Sequence, residues 1–289
     1  MLQNLTRLGL ALALVPCAQI AAQLPTGLAA GMSAAIGVRD FEIQDLALPA
    51  DLPDAFTVDV RFEGVDYPLV LRRGATARAE GFEVIEIGAD GVRRPLPVPP
   101  PARTYRGVAA GHVGIQVAAS LEWGGLYVTM LGPDGVFCHV QPAVDLVPGL
   151  APGLHVAHRP APLPEGSCGV EHAGAHTEPA GGFQVAQKGD VLLAEIAFDC
   201  DHDFYQFKGG SIPAVVADVE RTLDAANVVY ERDVDLAHGI TTIIVRTSEP
   251  DPYSGNDAGT ILGTQFRGEW NTNQSGVRRD VAHFVTSRA

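Results

Sequence analysis

From Val191 onward the chain alternates between two kinds of hydrophobic pattern, and that alternation narrows the fold more than any other feature. VLLAEIAF (191–198) is an apolar run broken only by Glu195, as expected of a strand buried on both faces. Ser211 stands where a helix cap belongs and Pro213 falls in the first turn. Beyond them Ile212, Val215, Val216, Val219, Leu223 and Ala226 recur at three- and four-residue spacing. TTIIVRT (241–247) reads as a second strand. Asp257 can cap a second helix with Ile261, Leu262, Phe266 and Trp270 on one face, and VAHFV (281–285) gives a third strand. Strand, helix, strand, helix, strand predicts an α/β unit with a largely parallel sheet.

The upstream half has a different texture. FTVDVRF, YPLVLRR and FEVIEI alternate apolar and polar residues, with turn signals at Glu63-Gly64 and Gly88-Ala89-Asp90-Gly91. TYRGVAAGHVGIQVAASL and GGLYVTMLGPDGVFCHVQP continue the series, with Gly132 to Gly135 as a hairpin turn. A mainly antiparallel sheet domain is expected from Phe56 to about Asp145. Proline at five of the seven positions from Pro95 to Pro101 predicts a stiff surface connection. His112 and His139 sit in strand patterns and are read as structural. Residues 148–189, rich in Pro, Gly, Ala and His, read as a linker between domains.

The first residues order a basic Arg7, an apolar run from Leu8 to Val15 and small residues up to Ala22. This is the pattern of a secretory signal occupying residues 1–22, and the run is too short to span a bilayer. The domain plan is therefore a signal peptide at 1–22, a strand-rich domain at 23–147, a linker at 148–189 and an α/β unit at 190–289. A soluble, exported product with no membrane association after signal removal is expected. The formal charge of −14 repels phosphates and excludes nucleic acid as an expected partner. Signal removal leaves Cys138, Cys168 and Cys200, an odd number for an oxidising compartment.

Chemical motifs are sparse. No G-x-G-x-x-G follows the first strand of the α/β unit, so nucleotide binding is not indicated. Asp199-Cys200-Asp201-His202-Asp203 opens like a calcium loop, but Phe204 stands where the turn needs Gly and Gly210 where it needs Glu; a solvated strand end is expected instead. His172 and His176 lie four apart in a stretch unsuited to helix, and no Glu follows the first.

Several segments together resemble a known family. AEIAFDCDHDFYQFKGG, ADVERTLDAANVVYERDVDLAHGITTIIVRTSEPDPYS, LGTQFRGEWNTN and RRDVAHFVTS resemble, in order, the opening of the reprolysin (adamalysin, ADAM-like) catalytic domain of the metzincin zinc proteases. The upstream strands resemble that family's propeptide, and Gly166-Ser167-Cys168-Gly169-Val170 resembles its cysteine switch, without the Pro-Lys-Met that usually precedes it. The resemblance implies a secreted zymogen, Cys168 on an arm able to ligate a catalytic zinc, Glu195 as a candidate calcium ligand, and protein or peptide substrates. Pairing of Cys168 with Cys138 or Cys200 stays open.

The family binds zinc through H-E-x-x-H-x-x-G-x-x-H. None of the nine histidines is followed by Glu, so this chain carries no zinc ligands of that type and no catalytic residues. The expectation is the N-terminal half of a metzincin-type domain behind its propeptide, a fragment inactive by itself. A non-enzymatic secreted decoy, or a propeptide-like protein that binds a related protease, is the alternative.

Overall fold

The structure is a computed structural model that describes residues 26–74, 77–151, 153–161, 191–255 and 260–288. The signal segment, Cys168, the His172/His176 pair and Asp257 lie outside the described residues. The fold is mixed α/β and contains two sheets joined through one helix.

The first sheet is antiparallel and runs β1(Phe41–Asp45), β10(Leu154–His158), β9(Gly135–Pro142), β8(Gly125–Gly132), β7(Gln116–Glu122), β6(Thr104–Ala109), β3(Val65–Arg73), β2(Ala55–Phe62) in spatial order. Every second residue points inward: Val58, Val60 and Phe62; Leu69 and Leu71; Val117, Ala119 and Leu121; Leu126, Val128 and Met130. The sheet curls until its two edges meet. There the Gln44 side chain of β1 bonds both backbone groups of Arg61 on β2, donating to its carbonyl at 2.9 Å and accepting from its N–H at 2.8 Å. Helix α1(Thr26–Ile36) and the short α2(Ala143–Leu146) pack beside β10 through Met32, Ile36, Ala143 and Val156. The expected hairpin at Gly132–Gly135 joins β8 to β9.

The second sheet runs β13(Val281–Val285), β11(Leu192–Cys200), β12(Leu236–Arg246), β4(Arg78–Ile87), β5(Arg93–Pro95). Its first four strands are mutually parallel, and β5 returns antiparallel to β4. One face is covered by α3(His202–Phe207) and α4(Ile212–Val234), with Phe198, Val215, Val216, Val219, Leu223 and Ile243 in the core. The other face is covered by a π-helical turn, Ile261–Phe266, running into α5(Arg267–Thr272), which packs Phe266 and Trp270 on Ile85, Ile87 and Ile244. Ser211 caps α4 as its position suggested, its hydroxyl accepting from the Ala214 N–H.

Three expectations are corrected. FEVIEI does not belong to the antiparallel unit: Val84, Ile85 and Ile87 are buried on both faces of β4, which lies parallel to β12. Local alternation sets which way side chains point but carries no information on which sheet receives the strand. The stretch read as linker from residue 148 contains β10, whose pairing partners are as distant as Phe41. Leu262 is exposed, because the wide π-helical turn brings Ile261 and Phe266, five apart, onto the buried face.

Helix α4 lies between the two sheets. Its Val215–Leu223 side packs on the second sheet, while Ala225, Val228 and Val229 meet Ala118 and Leu131 on the outer face of the first. Arg106 of β6 reaches Asp224 at 2.8 Å and Glu231 at 3.3 Å, Arg78 of β4 pairs with Glu220, and Arg221 pairs with Glu122 of β7 at 3.3 Å. Among the described residues no helix is long and apolar enough to cross a membrane.

Candidate functional site

Polar residues converge at the carboxyl ends of β4, β11, β12 and β13, where open parallel sheets collect their ligand sites. Asp199 is the penultimate residue of β11, Asp201 follows that strand as the cap of α3, and Arg246 closes β12. Asp199 is fully buried, and its carboxylate accepts from Arg246 Nε and an Arg246 terminal nitrogen at 2.8 Å each, from Tyr253 Oη at 2.5 Å and from Trp270 Nε1 at 3.1 Å. Arg246 also donates to Glu269 at 2.9 Å. Burial penalises the Arg246 cation, and the hydrogen bonds and charge of Asp199 outweigh that penalty, raising its pKa. Burial and then the Asp199 charge raise the Tyr253 phenol, so it stays a donor. Glu269 also accepts from Asn273 at 2.6 Å and Gln274 at 3.0 Å; these bonds and Arg246 outweigh the burial that opposes its charge, so its pKa is lowered.

Above this network opens a polar cleft of about 700 Å³, lined by Arg93, Arg246, Asp251, Glu269 and Gln274 among others. Arg93 donates to Gln274 at 2.6 Å. Among the described residues no imidazole or thiol lines the cleft.

The neighbouring end of β11 differs from the solvated strand end expected of Asp199–Asp203. Asp199 and Asp201 are both completely buried. Asp201 caps α3, accepting from Phe204 N at 2.8 Å, and burial raises its pKa. Asp251, from the loop after β12, accepts from the backbone N–H of His202 at 2.9 Å and of Tyr253 at 2.8 Å. Arg288 enters between these acids, paired with Asp203 and 3.5 Å from Asp201. His202, Asp203 and Glu249 bring one potential ligand atom each within 4.8 Å of one another.

This geometry does not fit the zinc implied by the family resemblance. The family's site takes three imidazoles, and this cluster offers one, with Asp203 already held by Arg288. The remaining described histidines have separate duties. His112 stacks on Tyr67, His155 accepts from Leu126 N at 2.9 Å, His238 bonds Asn227, and His283 packs edge-on to Phe198. His139 and His158 face each other with ring centroids 5.9 Å apart on the outer face of the first sheet.

Glu195 lies at the opposite end of β11. Its backbone N–H donates to Asp280 Oδ2 at 2.8 Å, while its own carboxylate pairs with Arg278 at 3.1 Å. The Glu195 carboxylate is thus held by an arginine, whereas calcium takes about six to eight oxygens. Cys138 and Cys200 are free and buried. Burial pushes the Cys138 thiol up to about 12 and raises Cys200 as well, leaving both inert as nucleophiles.

No protein-family model matches the chain, and no curated protein sequence matches it. The Asp199–Arg246–Tyr253–Trp270–Glu269 network escaped sequence reading, although one signal was present. A charged residue closing an apolar strand needs a buried partner, and both β11 and β12 end that way.

Proposed function

We propose that the chain is a precursor form of a secreted, reprolysin-type zinc metalloendopeptidase. Residues 26–161 act as its prosegment, and residues 191–288 form the part of its peptidase unit that precedes the zinc motif. Its substrates are proteins or peptides. The observation carrying this reading is the place of α4. A parallel β11–α4–β12–α5–β13 unit, carrying the family-like segments, presents its main helix to an upstream antiparallel sheet that fits it with apolar contacts and two sets of ion pairs, Arg106 with Asp224 and Glu231 and Arg221 with Glu122. A prosegment must fit its peptidase in this way. No histidine of this chain is followed by Glu, so none belongs to an H-E-x-x-H zinc motif, and Cys168 keeps its role as candidate switch.

The test is the protein secreted by its native host, measured by intact mass and zinc content. Peptides beyond Ala289 carrying H-E-x-x-H, with one zinc per chain, are expected. A product matching this chain without its signal segment, and free of zinc, would favour the decoy or protease-binding alternative. The 289-residue chain itself should leave casein uncut whether or not zinc is added, and metal-dependent cleavage by it would sink the assignment.

A further inference from the structure

We infer that the upstream unit is a permanent, non-covalently bound partner of the downstream one, so that cutting the chain between them yields a two-chain protein and no separation. The name prosegment rests on the proposed function; the binding claim rests on β4 alone.

A prosegment that leaves after cleavage must be held by surfaces that can part. The ion pairs on α4 are of that kind, but β4 is not. It occupies an interior position of the second sheet, with β12 on one side and β5 on the other. Its residues 83–87 pair in register with Thr242–Arg246. Val84 joins the core beneath α4, while Ile85 and Ile87 join the opposite core beside Trp270 and Ile261. Both faces of the strand are therefore sealed by elements of the downstream unit. Side chains fasten β4 and its antiparallel neighbour β5: on β4 Glu86 accepts from Thr247 at 3.0 Å and the Glu80 carbonyl accepts from Arg278, and on β5 Arg93 donates to Gln274 at 2.6 Å. Withdrawing β4 would expose both apolar faces and leave the β12 backbone without its ladder partners on that side, a large part of the cost of opening that sheet.

The experiment inserts a specific protease site between Gly181 and Gly182 of the full chain, cuts the purified protein, and runs it on a sizing column. Runs are made at low salt and at about 1 M sodium chloride, where electrostatic screening acts within about 3 Å. Both fragments are expected together at the volume of the uncut chain in both buffers. Hydrogen exchange should keep the 83–87 amides as protected as those of β12 after the cut. Release at high salt alone would reduce the attachment to the α4 ion pairs and overturn the proposal, as would separation at low salt or loss of protection across 83–87. None of these readings depends on protease activity, so the proposal and the assigned function fail separately.

Discussion

Asp199 has four donors arranged around one buried carboxylate, and Arg246 supplies two of them as a fork. Arg246→Met would leave that carboxylate buried without its counter-charge, at a cost of about 3–5 kcal/mol in a urea titration. Arg246→Lys should recover only part of the loss, because one ammonium cannot reproduce a planar two-point contact. His139 gives a residue-level prediction of pH dependence. Burial, with His158 beside it, holds its pKa down to about 4, against roughly 6.5 in an unfolded chain. In that window the unfolded state binds the extra proton, so this contribution is intact above about pH 6.5 and is lost as pH falls towards 4. His139→Gln should reduce the acid-side loss of unfolding free energy, read from urea titrations, by an amount on the order of 1–3 kcal/mol. The presence of buried charge was legible in the sequence, since Asp199 and Arg246 each close an apolar run. Their pairing was not, because it depends on the parallel register of β11 and β12 and on Tyr253 and Trp270, fifty or more positions beyond Asp199.

Helix α4 was readable from its sequence almost to its ends: the Ser211 cap, the early proline and the apolar spacing all mark it, and Ser211→Ala should cost about 1 kcal/mol. Its second apolar side, which receives the first sheet, was not foreseen. Ala225, Val228 and Val229 make a stripe beside acidic Asp224 and Glu231, which sequence periodicity reads as the ordinary border of a solvated face. Strand β4 shows the same limit from the other direction. Its existence followed from alternation, yet its sheet followed from long-range pairing with β12. Ile85→Ala, a truncation in a fully buried position, should cost about 2–5 kcal/mol. Because the two units share this strand, the loss should appear in a single unfolding transition reported alike by both halves, read by fluorescence of Trp123 and Trp270 in separate single-tryptophan variants.

Interleaving also decides which pieces can stand alone. Residues 191–289 expressed without the upstream half would present a bare β12 edge and an α4 stripped of its cover, and the piece should aggregate; a monomer with a sharp thermal transition would contradict this. The order of synthesis meets the same constraint. Glu83 touches Thr242 across 159 positions of chain, so β4 leaves the ribosome long before the strand it must lie against. Contacts this remote in sequence are late and slow to form. The hairpins of the first sheet can assemble as they emerge, while β4 waits as an apolar strand without a seat, a species prone to wrong partners. If the chain is exported unfolded, it gains an advantage from that route: the apolar strand meets its β12 only after translocation has delivered both strands to the far side.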